Sequence, residues 1–407
     1  MQLTERSSRN NFYSYLWHAS FLALAQNFMD VNTVIPAMMI DAGGSSIQVG
    51  ILTAIMIGGT NFSQLLFLPF LSNKSRKKAY LLFGVNLRIL ALLGLGIVLY
   101  IYTAETYSAA IIWIIFGLMT LFAVSGSFAG ISYSDILGRS MLDNQRKPFF
   151  SARQAISSIG MLLSAYFAAR ILAGYQYPIN YALLFGIAAV ALAVSSLGFW
   201  RITEIPGPIR SISGLGSYLR LITDEVRSSR RLSSYLLLVN SLGVSLSLLP
   251  FLTLYGKDTF AISNEDIGSY LLFRVLAGVL TGGLMFFFAD RVRYSRLLYG
   301  IVLIALAIPV SLLLIPGSGL FGVYFFAGGV MIAAYKIAIE GVLLEISDNQ
   351  QRTIYIGLAG AGSIIPAVFP IVGGWMVQHF GFNVFLGVFI VIILLAVIFI
   401  RRLDCQK

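Results

Sequence analysis

The sequence predicts an all-α membrane protein that crosses the bilayer with twelve transmembrane helices. The first observation is length: apolar runs recur along the chain, and about 20 apolar residues suffice to cross the hydrocarbon core as a helix. The second is composition, since 58% of the residues are hydrophobic and only 11% are charged, too few for the surface of a soluble domain. The third is that every second polar break between the runs is basic.

We number the apolar runs as segments 1 to 12. They span residues 12–40, 47–71, 79–102, 108–138, 149–173, 180–200, 233–255, 265–289, 296–315, 319–345, 353–378 and 382–400. Each has the length of a membrane-crossing helix, because an α-helix rises about 1.5 Å per residue.

The net charge of +11 lies in the breaks. Lysine and arginine precede segment 1, follow segments 2, 4, 6, 8 and 10, and recur at the C-terminal end, whereas Lys257 is the only one in the other breaks. By the positive-inside rule both termini are expected in the cytoplasm. The expected location is a cell membrane, most simply the bacterial inner membrane. Nucleic-acid binding is disfavoured, because no basic stretch is interleaved with aromatic residues on a soluble domain.

The longest polar break, residues 201–232, divides the chain into two halves of six segments. The expected domains are therefore 1–200 and 233–407, joined by a cytoplasmic linker that contains Pro206 and Pro208 and has room for an amphipathic helix over Tyr218–Val226. The halves echo each other: Asp143-Asn144-Gln145 recurs as Asp348-Asn349-Gln350. Such an internal duplication is typical of transporters.

The breaks after segments 2 and 8 carry parts of a known loop motif, Gly-x-x-x-Asp-Arg/Lys-x-Gly-Arg/Lys-Arg/Lys. The second half has Asp290-Arg291, and the first half has Asn73-Lys74 followed by Lys77 and Lys78. Pro69 and Phe286 replace the leading glycines, and Asn73 replaces the acid. With its twelve segments and long central loop, the chain resembles the major facilitator superfamily (MFS). The resemblance implies two pseudo-symmetric six-helix bundles, transport by alternating access, and a cytoplasmic gate at the motif.

The gate is expected to include further charges near the cytoplasmic ends of the segments. Asp135 can form an ion pair with Arg139, one turn away, or with Arg153 at the start of segment 5, and Glu345 lies at the same boundary. A purely structural ion pair stays open for each of them.

Charges inside the segments are costly in a bilayer and mark candidate transport sites. Asp30 lies beside Asn27 in segment 1 and is the first candidate for a proton carrier. Lys336 and Glu340 are four residues apart in segment 10 and are expected to pair, with Glu340 as a second coupling acid and Tyr335 next to them. The resemblance places segments 1 and 10 along the substrate cavity.

Arg88 in segment 3 has no acid in its own segment, and Arg274 is similarly isolated in segment 8, whose acids Glu265 and Asp266 lie at its start. Either guanidinium group could bind a carboxylate or phosphate group of a substrate, or could serve only to hold helices together.

These features predict a secondary active transporter for a small polar organic solute, with charges of both signs favouring an anionic or zwitterionic one and a sugar left open. Proton coupling is the simplest expectation, and sodium coupling stays open. No nucleotide-binding loop occurs. The chain is expected to act as a monomer among membrane lipids, without a cofactor or metal.

Three alternatives stay open. A lipid or lysolipid flippase can use the same fold, and a non-transporting scaffold or receptor would lack solute flux. An enzyme is disfavoured, because one cysteine and two histidines supply no recognisable nucleophile and base.

Overall fold

The computed structural model describes residues 3–101, 108–207, 216, 223–224, 226–227, 229–288, 292–346 and 362–403, and these residues fold into α-helices joined by short turns. In chain order the helices are α1 (Glu5–Gln26), α2 (Val34–Asp41), α3 (Ser46–Ser72), α4 (Lys78–Ile101), α5 (Ser108–Arg139), α6 (Asp143–Gly174), α7 (Ile179–Arg201), α8 (Arg230–Leu242), α9 (Leu248–Phe260), α10 (Asn264–Phe288), α11 (Tyr294–Leu314), α12 (Phe321–Ile346), α13 (Ile364–Phe380) and α14 (Phe382–Leu403).

Most of these helices overlap the predicted apolar segments. Within the described part of the chain, nine helical spans are long and apolar enough to cross a membrane, and α13 is a shorter apolar helix. Large apolar side chains point outward, including Trp113, Phe286 and Phe287, each more than 70% exposed. A surface of this kind suits lipid rather than water, so the fold is that of a multi-pass membrane protein.

Some predicted features fall outside the described residues. They are the first part of segment 11, most of the linker with its amphipathic stretch, and the repeat copy Asp348-Asn349-Gln350.

Segments 1 and 7 were expected to be continuous helices, and the structure shows that this is wrong. A 3-10 turn, Asn27–Met29, and a short non-helical stretch separate α1 from α2, and a second 3-10 turn, Gly243–Ser247, separates α8 from α9. Pro36 and Pro250 occupy the third position of α2 and α9. A proline has no N–H to donate and is tolerated in the first turn of a helix, so each helix restarts just ahead of its proline. The first segment of each half therefore breaks in the same way.

The chain packs into two compact units. Unit 1 comprises Met1–Asp30 and Phe62–Tyr218, and unit 2 comprises Val31–Asn61 and Leu219–Lys407. Unit 2 thus contains α2 and the first part of α3, which belong to the first half of the sequence. The division into domains 1–200, 201–232 and 233–407 stays a prediction from sequence and differs from these packing units in that one segment.

Aromatic rings form the core of unit 1. Tyr15 is fully buried, with ring centroids 5.5 Å from Tyr133, 6.1 Å from Phe149 and 6.3 Å from Phe199. These edge-on contacts join α1, α5, α6 and α7, and they add about 0.5–1.5 kcal/mol per pair to the burial of the rings. The ring of His18 lies 3.9 Å from that of Phe199 and extends the same cluster.

Glycines bring α3 close to α13 in unit 2. A side chain on Gly50 would overlap the carbonyl oxygen of Pro370, and one on Gly374 would overlap the carbonyl oxygen of Ser46. Further along, a side chain on Gly58 would overlap Ala367. Small residues allow helix backbones to approach closely, and van der Waals contact is then the main attraction between helices in a membrane.

We predict that Gly374→Val destabilises the protein, because the added methyl groups meet the backbone of α3 rather than a flexible side chain. Overpacking of this kind costs about 1–3 kcal/mol. The melting temperature of the detergent-purified protein measures the effect. Gly278→Val is the matched control, since a Cβ on Gly278 has no neighbour within 4 Å. Equal melting temperatures for the two variants would contradict the close α3–α13 contact.

Candidate functional site

A cluster of charges joins three helices at one end of unit 1; we name its members Lys77, Asp135, Arg139 and Glu204 the unit 1 charge cluster. Lys77 Nζ lies 2.7 Å from Asp135 Oδ2, and the Arg139 guanidinium group binds the same carboxylate oxygen. The Lys77 side chain is only 9% exposed and that of Asp135 is 35% exposed. Asp135 therefore provides the countercharge for a buried lysine as well as for an arginine on its own helix.

Glu204 belongs to this cluster because its carboxylate caps α4. The backbone N–H groups of Lys77 and Lys78 donate to its two oxygens, the second over 3.1 Å. In return, Lys78 Nζ donates to the carbonyl oxygens of Trp200 and Ile202, 2.8 and 2.9 Å away at the end of α7. A negative group at a helix start and a positive group at a helix end both interact favourably with the helix dipole. These hydrogen bonds hold the start of α4 against the end of α7.

The predicted gate residues differ in their contacts. Asp135 pairs with Arg139, which is one of the two pairings that the sequence left open. Arg153 takes another position, with its guanidinium carbon 6.0 Å from the ring centre of Tyr133.

Of the others, Asn73 is exposed, and Lys74 Nζ lies 5.0 Å over the ring of Phe70. Glu345 is half-buried at the end of α12 and makes interactions of its own. Asp290 and Arg291 lie outside the described residues. A gating role for all of these residues stays a prediction.

Arg88 lies near the middle of α4 and points to α5. Its guanidinium carbon is 4.2 Å from the ring centre of Phe122, and its Nε atom is buried without a hydrogen-bond partner among the described residues. A Cβ on Gly126 would lie 3.5 Å from that Nε, so the absence of a side chain there leaves room for the guanidinium group. The cation–π contact with Phe122 thus holds the guanidinium group in place.

The polar residues predicted in segment 1 lie at the helix break. Asn27 begins the 3-10 turn, and its Nδ2 donates to the Met161 carbonyl oxygen (2.7 Å) and to Ser164 Oγ (2.9 Å) on α6. Asp30 follows that turn with an extended backbone and is 7% exposed. Sequence reasoning placed Asp30 within a helix, and the structure corrects this, because α1 ends at Gln26. Asn27 holds α1 to α6, and Asp30 is buried beside the break with contacts of its own.

The predicted residues of segment 10 differ in exposure. Lys336 and Glu340 are both exposed on α12, and Glu340 interacts electrostatically with Tyr235. Their direct pairing stays a prediction. Tyr335 is 7% exposed, and its hydroxyl lies 2.9 Å from the Cβ position of Gly243, in the break between α8 and α9. Arg274 is half-buried on α10 and makes interactions of its own.

Sequence reasoning missed a polar cluster in unit 2, formed by Asp41, Lys257 and Asn264. Lys257 Nζ lies 2.6 Å from Asp41 Oδ1 and donates to Asn264 Oδ1 at 2.9 Å. One helix turn before Lys257, Thr253 Oγ1 donates to the Asn32 carbonyl oxygen at 3.0 Å. The signal was present in the sequence, since Lys257 is the only lysine or arginine in its set of breaks and Asp41 lies in another break of that set.

Comparison with known proteins supports the family. Residues 233–404 match the model of the Major Facilitator Superfamily, so the match covers the second half of the chain. No curated protein sequence matches the chain. The second half of the chain is therefore similar to the Major Facilitator Superfamily.

Solved structures extend the resemblance to the whole MFS fold. A mutant of the nucleoside transporter NupG has a TM-score of 0.67 at 16% identity, covering 97% of this chain and 100% of its own. A D-xylose–proton symporter has a TM-score of 0.69 at 13% identity, covering 96% of each chain. The inward open xylose transporter XylE from E. coli has a TM-score of 0.70 at 12% identity, covering 97% of each chain. At these identities the likeness shows the fold alone.

We predict that Asp135→Asn destabilises the protein more than Arg139→Gln does. The first change leaves buried Lys77 without its carboxylate, at a cost of about 1–2 kcal/mol after allowance for the partly exposed acid. The second removes a half-exposed pair within one helix, worth about 0.5 kcal/mol.

Thermal unfolding of the purified variants measures both effects. The double variant Lys77→Gln/Asp135→Asn should be no less stable than Asp135→Asn alone. Losses that simply add in the double variant would show that Lys77 and Asp135 do not interact.

Proposed function

We propose that this chain is a secondary active transporter of the MFS that moves a small polar organic solute by alternating access. The observation that carries the proposal is the fold shared with a nucleoside transporter and with xylose transporters over at least 96% of this chain. Polar groups within apolar segments support it, Arg88 on α4 and Asp30 at the break between α1 and α2 among them, because such groups are retained at membrane depth mainly where a solute or ion is handled.

Proton coupling through Asp30 is the second part of the proposal. Asp30 is an acid with 7% exposure beside a helix break, and irregular backbone at membrane depth occurs where it is packed in protein or lines a cavity. A carboxyl group in such a place can take up and release a proton as its surroundings change. One of the similar structures is a D-xylose–proton symporter, which fits this coupling ion. Sodium is the rival ion.

We predict that Asp30→Asn abolishes accumulation driven by a pH gradient while leaving exchange at equal pH intact. The amide keeps the shape of the carboxyl group and removes its titration. Proteoliposomes that contain the full chain are tested with D-xylose, uridine, succinate and glycerol 3-phosphate, with a pH gradient and without one. Accumulation by the variant should fall to the level of simple equilibration.

Two controls make this test specific. Asp258→Asn removes an exposed acid from α9 and should accumulate solute as the unaltered protein does. Glu340→Gln tests the rival coupling acid on α12. If Asp30→Asn still accumulates solute in response to the pH gradient, Asp30 is a structural acid. If the unaltered protein moves none of the solutes, the transport proposal itself loses its support.

Cytoplasmic termini are part of the same proposal, because the basic breaks would then face the cytoplasm. Cys405 is the only cysteine of the chain and lies outside the described residues. We predict that a membrane-impermeant thiol reagent added to intact cells leaves Cys405 unlabelled, and that permeabilised cells show labelling. Rapid labelling of intact cells would reverse the topology.

A further inference from the structure

Two half-buried arginines of unit 1 have no acidic partner among the described residues. Arg88 on α4 stacks on Phe122, and Arg153 on α6 faces the ring of Tyr133. Neither guanidinium group forms an ion pair with an acid in the part of the chain that the structure describes. We name Arg88 and Arg153 the arginine pair.

The two arginines share one neighbourhood. Both interact electrostatically with His18 on α1, whose ring centre is 5.8 Å from that of Tyr133. His18 itself is held by Ser195, with 2.6 Å between Nδ1 and Oγ. The Ser195 hydroxyl also donates to the His18 carbonyl oxygen at 2.9 Å. Residues from α1, α4, α5 and α6 therefore surround one positively charged region.

The acids described nearby serve other groups. Asp135 binds Lys77 and Arg139, and Glu204 binds the N–H groups at the start of α4. The aromatic faces of Phe122 and Tyr133 attract the guanidinium groups, but such a contact contributes only about 0.5–2 kcal/mol. An unpaired charge at membrane depth costs at least a few kcal/mol. The aromatic contacts alone therefore do not offset the cost of placing the two arginine charges at membrane depth.

The arginine pair is not sealed inside unit 1. Arg88, Arg153 and Tyr133 are each half-buried rather than fully enclosed. The buried Nε edge of Arg88 faces Gly126, and the terminal nitrogens make no hydrogen bond with the described residues. A guanidinium group held over a ring, with free N–H donors at its end, is suited to a carboxylate or phosphate, which it can bind with two parallel hydrogen bonds.

We propose that the arginine pair binds the negatively charged group, carboxylate or phosphate, of the transported solute, with Arg88 as the main contact and Arg153 as the second. This inference rests on the proposed transport function and assigns it a substrate class: small organic anions. Tyr133 lies beside Arg153 and supplies a hydroxyl group for a further hydrogen bond to the same anion.

Binding is tested on the purified full chain by the rise in melting temperature with ligand. The anionic probes are succinate, glycerol 3-phosphate and inorganic phosphate, which separate a carboxylate from a phosphate ligand, and the neutral probes are D-xylose and uridine. At least one anionic probe should stabilise the unaltered protein. Arg88→Gln should raise the dissociation constant of that probe about tenfold or more, as expected for loss of a charge-assisted hydrogen bond.

Matched variants show whether the effect belongs to the site. Arg88→Lys keeps the charge but loses the planar fork, so its affinity should lie between those of the unaltered protein and Arg88→Gln. Arg153→Gln should raise the dissociation constant of the same probe by a smaller factor than Arg88→Gln does. Arg170→Gln is the control, because Arg170 also stacks on a tyrosine, 5.2 Å from the ring centre of Tyr166, but is exposed on its helix. The affinity of the Arg170→Gln variant for the anionic probe should equal that of the unaltered protein.

The outcomes separate this inference from the transport proposal. If no anionic probe stabilises the protein, or if Arg88→Gln and Arg153→Gln both bind the probe as tightly as the unaltered protein, the inference is overturned. Transport of xylose or uridine in proteoliposomes would then still support the proposed function. Binding of an anion that depends on Arg88, without flux of any probe, would support the site and contradict transport.

Discussion

The cost of an uncompensated charge in a low-dielectric membrane interior constrains every polar group in this chain. In unit 1, Asp135 offsets both Lys77 and Arg139, and in unit 2 Asp41 and Asn264 surround Lys257. Both clusters lie at helix ends, where side chains can also satisfy backbone groups that the helices leave open. The arginine pair of Arg88 and Arg153 departs from this pattern, which is why it stands out as a place for an anion from outside the chain.

The sequence was sufficient to predict the helical segments, because a run of apolar residues is itself the physical requirement for crossing a bilayer. It was not sufficient for the breaks in segments 1 and 7, since hydropathy averaged over many residues is insensitive to one helix restart. Pro36 and Pro250 carried that information locally. The grouping of α2 and the start of α3 with the second half depends on contacts such as Gly50 with Pro370, which no local pattern encodes.

The contacts of the candidate site were predictable only where the two residues of a pair are close in sequence. Asp135 and Arg139 are one helical turn apart, so their pairing follows from helix geometry. Lys77 comes from a different helix end, and its pairing with Asp135 depends on how α4 and α5 are aligned by tertiary packing. Arg88 was recognisable as a charge in an apolar segment, but its neighbourhood with Arg153 and His18 required the folded arrangement of three further helices.

The contact between α3 and α13 has a form that suits a transporter. Glycine backbones meet there without interlocking side chains, so separating the helices does not require buried side chains to change rotamer. The ion pair of Asp41 and Lys257 in the same unit is different, because it is largely buried, with 17% and 9% of the two side chains exposed, and opening it requires water to reach both charges. The glycine contact is the one that is specific when closed and inexpensive to open. Alternating access requires that combination, because neither of its end states can be much more stable than the other.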